Sequence, residues 1–260
     1  MKIIRSIAVS FSLYSRIPMP SFKWEEEDMK HAISFLPLTG AFIGALIYFS
    51  TMAYSIVIIP NIAYACILMA LPLIVTGGFH MDGFMDVQDA KNSYQPKERK
   101  LEIMKDPHIG AFAVISLVVL GLIWFSALIV VMDNRFENLV IYGISFAFVR
   151  AACGLTSLKF EKAKKEGMLS METGNSNNLD VAILTSFLVI SGGMILFLDY
   201  YVGISFIAVL LLFTVYYHHM CKKNFGGVTG DTAGFYVVAG ELLMVVTLAV
   251  VSIMTFSVYN

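Results

Sequence analysis

A helix needs about 20 mainly apolar residues to cross a bilayer. Seven stretches of this 260-residue chain qualify, at 33–59, 62–79, 111–132, 139–158, 181–198, 204–220 and 235–258. In hydrocarbon every backbone N–H and C=O must find a partner inside the protein, so such stretches fold as helices. Composition agrees: 58% of the residues are hydrophobic and 14% charged, where soluble domains average about 25% charged. The expected fold is all-α, a polytopic integral membrane protein of about seven transmembrane helices. Only Pro60 and Asn61 separate the first two stretches, which predicts an antiparallel helical hairpin. No internal repeat or low-complexity linker divides the chain, so 1–260 reads as one transmembrane domain. At the N-terminus Lys2 and Arg5 precede the apolar stretch 7–13, as in a signal peptide. Arg16 breaks the apolar character soon after it and no small-residue cleavage site is present, so an interfacial or re-entrant helix is expected instead.

The basic residues orient the bundle. Of 18 Lys and Arg, five precede the first stretch, five lie between the second and third, four follow the fourth and two follow the sixth. Arg135 alone falls in an opposite-side connection, and Arg150 lies inside the fourth stretch. The positive-inside rule places the N-terminus in the cytoplasm and the C-terminus outside, and an odd number of spans follows from it. The outer connections (60–61, 133–138 and roughly 199–203) are too short to build a site. Chemistry is therefore expected on the cytoplasmic face of a bacterial or archaeal cell membrane. The lipid bilayer is the required partner, the net charge of −1 argues against nucleic acid, and a homo-oligomer stays open. Cys66, Cys153 and Cys221 show no metal spacing; the first two read as packing residues and the third as a free thiol.

Three polar segments could carry chemistry. The first, Gly77-Gly78-Phe79-His80-Met81-Asp82-Gly83-Phe84-Met85-Asp86-Val87-Gln88-Asp89, sets Asp82, Asp86 and Asp89 at i, i+4 and i+7, one face of a helix. Three carboxylates so placed repel one another unless a cation relieves them, and hard carboxylate oxygens suit Mg²⁺, which in proteins commonly meets phosphate. Gly77 and Gly78 allow a bulky ligand close to the backbone. His80 reads as a base, a phosphate donor or a plain interfacial residue. The second segment, at 99–110, offers Arg99 and Lys105 for phosphate and Asp106 for a metal, or else an ordinary surface helix starting after Pro96 and stopping at Pro107. The third, at 226–234, is a glycine-rich loop. Backbone N–H groups around Gly227, Thr229 and Gly230 can cradle an anion, and Asp231 can complete a metal site. Glu241 lies inside the seventh stretch, where a carboxylate is a functional candidate by default. Arg150 reads as a phosphate clamp or as the partner of Glu241. Together these residues suit metal-assisted phosphoryl transfer that joins a soluble activated phosphate donor to a partner near the bilayer.

At these motifs the chain resembles the cobalamin synthase family, the adenosylcobinamide-GDP ribazoletransferases. The family pattern Gly-Gly-x-His-x-Asp-Gly-x-x-Asp-x-x-Asp stands at 77–89. Arg-x-Leu-Glu-Ile-Met-Lys-Asp stands at 99–106 with Ile109-Gly110 after it, Gly-x-Thr-Gly-Asp at 227–231, and Arg-Ile-Pro-x-Pro at 16–20. The chain departs at Ala90-Lys91-Asn92-Ser93-Tyr94, where the family continues in glycines, and the stretch 159–178 looks peculiar to it. The resemblance implies that the 3′-hydroxyl of α-ribazole, or of its 5′-phosphate, attacks the cobinamide-linked phosphorus of adenosylcobinamide-GDP and expels GMP. It implies Mg²⁺ held by Asp82, Asp86 and Asp231, with Asp89 or else His80 as base and Arg99 and Arg150 steadying phosphate charge. Two rivals remain. A CDP-alcohol phosphotransferase-like enzyme would follow Asp-Gly closely with Ala-Arg, which is missing after Asp82-Gly83. A divalent-cation transporter would need polar steps across the full depth of the bilayer.

Overall fold

The apolar runs fold as helices, and Pro72 and the pair Gly192-Gly193 lie inside such helices without ending them. The structure is a computed structural model and describes residues 2–20, 26–29, 31–54, 56–57, 59–163, 167–174 and 176–259. Twelve helices stand among the described residues: α1 (Lys2–Tyr14), α2 (Glu26–Met29), α3 (Leu36–Tyr54), α4 (Asn61–Thr76), α5 (Phe79–Asn92), α6 (Lys97–Ile103), α7 (Ala111–Asn134), α8 (Leu139–Lys159), α9 (Met168–Thr173), α10 (Asn178–Leu198), α11 (Tyr200–Phe225) and α12 (Gly230–Tyr259). Six helical segments are long and apolar enough to cross a membrane: Ala32–Tyr54, Ala111–Asn134, Phe136–Lys159, Asn178–Leu198, Tyr200–Phe225 and Gly230–Thr255. The protein is thus a polytopic all-α membrane protein. Of its basic residues, Lys23, Lys30, Lys164 and Lys165 lie outside the described residues.

The second expected span is different. The run 62–79 does not continue as one straight helix into the aspartates. The helix α4 stops at Thr76, and α5 leaves at 95° to it. Gly77 (φ 64°) and Gly78 (φ 82°) make the corner, because two successive left-handed residues end a helix and side chains disfavour that conformation. These glycines therefore serve the turn, and a Cβ on Gly77 would strike the Arg16 side chain. The last span also starts earlier than its apolar run, so Gly230 to Gly234 belong to the first turns of α12 and not to a loop.

Hydrogen bonds show which ends of the helices lie together. At one end Asn61 Nδ2 donates to Asp133 Oδ1 (2.9 Å) and Asn138 Nδ2 to Ser252 Oγ (3.4 Å), gathering the short connections and the far end of α12. At the other end the Arg16 N–H donates to the Val75 carbonyl, the Val228 N–H to the Glu161 carbonyl and the Ala163 N–H to the Val228 carbonyl. We call this second end the motif face. Between the two ends, α8 is the most buried helix and packs against α3. Gly40 and Gly44, one turn apart on α3, lie against backbone of Phe146 and Gly143 on α8, a small-residue contact that draws two membrane helices together.

Candidate active site

The helix α5, turned 95° from α4, packs against α12 and α7 at the motif face, stacking Phe84 on Phe235 near the start of α12 (5.7 Å) and reaching Tyr216 of α11 through Lys91. Its buried residues His80, Gly83, Phe84, Val87 and Ala90 form the stripe that faces the bundle. The stripe leaves Asp82 exposed and Asp86 and Asp89 half-buried. Two glycines set how closely the helices cross. A Cβ at Gly83 would stand 2.8 Å from the Asp231 carbonyl oxygen, and one at Gly234 would stand 2.9 Å from the His80 carbonyl oxygen. That crossing brings Asp231 toward the carboxylates of α5.

The electrostatics of Asp86 report the convergence. Its pKa is pushed up to about 7, first by burial and then by the charges of Asp82, Asp231 and Asp89. Like charges that cannot all ionise comfortably are relieved by a proton or a cation. Among the described residues, no three His, Cys, Asp or Glu side chains are close enough to enclose an ion by themselves.

The third aspartate of the motif is differently engaged. Asp89 Oδ2 accepts from the Gly110 N–H (2.7 Å) and Oδ1 from the Ala113 N–H (2.9 Å). Asp89 thus caps the start of α7, satisfying donors that have no partner within that helix. Asp106 is exposed; the backbone N–H and ring of His108 bond it and hold its pKa low. Arg99 pairs with Glu102 on an exposed face (2.6 Å), and Lys105 is exposed. In the 226–234 segment, Thr229 and Thr232 cap α12 reciprocally: the Thr229 N–H donates to Thr232 Oγ1 (2.8 Å) and the Thr232 N–H to Thr229 Oγ1 (3.1 Å). Gly227 lies against the 161–163 backbone, which is why no side chain fits there. Of the two roles read for Arg150, the structure shows the pairing: Arg150 and Glu241 form a buried ion pair.

Several polar contacts have no signal in the sequence. Lys100 of α6 is buried and donates to Asn224 of α11 (2.7 Å); burial and its neighbours Lys223 and Lys91 lower its pKa. Tyr14 donates to Glu172 (2.9 Å) across a separation of 158 residues, and its ring stacks on His80. A buried carboxylate without an apparent reason, such as Glu172 between Met171 and Thr173, is the one hint available in advance.

An open cavity of about 1060 Å³ lies over this site, lined by Arg16, Ile17, Pro18, Gly77, Gly78, Phe79, Met81 and Asp82 among others. Fold and site together define a polytopic membrane protein with an acidic cluster under a wide cleft at one end of the bundle. The family profile described as cobalamin-5-phosphate synthase matches residues 6–249, and the chain belongs to that family of cobalamin-synthesis enzymes. Similar curated proteins carry the name adenosylcobinamide-GDP ribazoletransferase. One from Lachnoclostridium phytofermentans is 36% identical over 94% of this chain and 92% of its own length. One from Clostridium perfringens is 32% identical over 95% and 98%, and one from Geotalea daltonii 31% identical over 95% and 98%. No solved structure matches the chain.

Proposed function

We propose that this protein is an adenosylcobinamide-GDP ribazoletransferase, joining adenosylcobinamide-GDP to α-ribazole or its 5′-phosphate at the cytoplasmic mouth of the bundle. The observation that carries the reading is the contact of α5 with α12, which brings Asp231 within electrostatic reach of Asp86 and Asp82, next to a wide cleft that Asp82 lines. The Lys and Arg distribution supports a cytoplasmic motif face and an external C-terminus.

The donor set suits Mg²⁺. This ion seldom occupies an all-protein cage; it takes one or two carboxylates and fills its shell with water and substrate phosphate oxygens. Asp82, Asp86 and Asp231 would hold it. When bound, the ion would neutralise charge on the diphosphate and its leaving group.

The chain's own residues do the rest. The ribose hydroxyl oxygen forms a bond to the cobinamide-linked phosphorus, the bond from that phosphorus to the GMP oxygen breaks, and GMP departs with the electron pair. His80 takes the hydroxyl proton: burial first and Arg150 second lower its pKa, so the imidazole is neutral and able to accept. Asp89, with both oxygens occupied by α7, positions that helix instead. Arg16, which lines the cleft, would meet phosphate charge, with the exposed Arg99 and Lys105 as further cations for the approaching substrate.

The test is purified protein in detergent with adenosylcobinamide-GDP and either acceptor, with and without Mg²⁺. Product and GMP are expected only with the metal, and Asp82→Asn or Asp86→Asn should lower turnover by at least about 10²–10³-fold. No product with either acceptor, or near-normal turnover in both variants, would overturn the reading.

A further inference from the structure

A groove of about 600 Å³ runs along the side of the bundle and shares no lining residue with the cleft. The helices α7 and α11 each pack on α12 and leave the groove between them, with Phe84 and Gln88 of α5 at its motif-face end. Its walls carry exposed apolar side chains, Ile115, Val119 and Ile123 on α7 and Leu212 on α11. From Ile115 to Ile123 the wall rises about 12 Å along the helix axis, and one half of a bilayer's hydrocarbon core is about 15 Å deep. The groove therefore belongs to a single leaflet, the one on the motif face.

Three lysines gather where the groove meets that face. Lys91 of α5 stands 3.5 Å from the hydroxyl of Tyr216, an exposed groove residue. Lys223 lies two turns beyond Tyr216, on the same side of α11. Lys100 of α6 donates to Asn224, and the charges of Lys223 and Lys91 act on it. Among the described residues, no carboxylate pairs with any of the three. Like charges from three helices, left without a counter-charge at the end of an apolar groove, match a ligand with an anionic head and a hydrocarbon tail. Basic pockets between membrane helices take anionic lipid head groups for this reason.

We propose that the groove holds an anionic phospholipid of the motif-face leaflet, its acyl chain between α7 and α11 and its phosphate on Lys91 and Lys223 beside the Tyr216 hydroxyl. Lys100 adds its charge from α6. The head group then ties α5, which carries Asp82 and Asp86, to α11. The lipid is a partner separate from any substrate of the cleft, so the proposal does not depend on the transferase reading.

The experiment uses the full-length protein in detergent and needs no turnover. Native mass spectrometry should show one phosphatidylglycerol bound at least about tenfold more tightly than phosphatidylcholine with the same chains. Lys91→Gln combined with Lys223→Gln should weaken phosphatidylglycerol by about 25-fold, near fivefold for each lysine, and bring the two lipids level. Val119→Trp fills the groove without touching a charge and should weaken both lipids. Lys159→Gln, at the end of a helix that does not line the groove, should change neither. Equal affinity of the wild type for the two lipids would overturn the proposal, as would phosphatidylglycerol binding that survives either the double lysine change or Val119→Trp in folded protein. So would displacement of the lipid by GMP or inorganic phosphate, since the lysines would then serve a soluble phosphate. A dimer that Val119→Trp dissociates would give the groove to a second copy of the chain and overturn it too.

Discussion

At the scale of single residues, the aspartate motif divides into two kinds of work. Asp82 lines the cleft and Asp86 feels the charges of Asp82 and Asp231, whereas Asp89 is spent on the backbone of α7. Both kinds look identical in sequence, because spacing shows which residues share a face and not which distant N–H groups meet them. Substitution separates them. Asp89→Asn keeps one of the two acceptors and should retain activity within about tenfold, while Asp89→Ala loses the cap and about 0.5–2 kcal/mol of stability, read from thermal unfolding with a GMP-release assay alongside. A residue acting as the base would be disabled by both. Glu172 offers a different test. Burial, the leading cause, raises its pKa to about 7, opposed by the hydrogen bond from Tyr14. The folded state therefore holds this proton more tightly than the unfolded chain, whose carboxyl ionises near its ordinary value of 4.5. Stability from this group is full below that value and is lost as pH rises through about 7. Glu172→Gln keeps an acceptor for Tyr14 and should flatten the fall in melting temperature between pH 5 and about 7.5; an unchanged slope would show that the carboxyl is not the cause.

Among elements, the decisive object is the corner at Gly77-Gly78 and the crossing it permits. The corner turns α5 by 95° out of line with α4, and the Gly83–Gly234 contact seats α5 on α12. Alanine at residue 83 favours helix yet places a methyl group against the Asp231 backbone. Gly83→Ala should cost about 1–3 kcal/mol and, by shifting Asp82 and Asp86 away from Asp231, reduce turnover more than tenfold. Gly193→Ala, with open space around it, should stay within about 0.5 kcal/mol of wild type and fully active. Equal behaviour of the two variants in unfolding and turnover assays would show that the crossing does not set the site. The short helices α6 and α9 act as braces in the same layer: Lys100 ties α6 to Asn224, and Glu172 ties α9 to Tyr14.

For the whole molecule, the two ends of the bundle differ in kind. One end holds tight connections joined by Asn61 to Asp133; the other gathers the motif segments and most of the basic residues. In a background without the three native cysteines, a membrane-impermeant thiol reagent should label a cysteine introduced at His108 only from the cytoplasmic side and one at Glu137 only from outside. The reverse pattern would invert the topology and move the site to the external face.

Sequence by itself determined the class of fold, because hydrocarbon leaves a long apolar run no backbone solution but helix, and it carries the argument for sidedness, because lysines and arginines cluster in alternate connections. It also displayed the carboxylates, since a period of 3.6 residues makes a shared face visible. Tertiary structure decided the rest. Which aspartate caps a helix depends on a donor pair 21 and 24 residues further on, and Arg150 finds its counter-charge 91 residues away. A straight second span became a broken one because two left-handed glycines end a helix more firmly than apolar character prolongs it. Contacts of this kind form only once packing has brought distant elements together, and no local pattern of residues encodes the distances at which they meet.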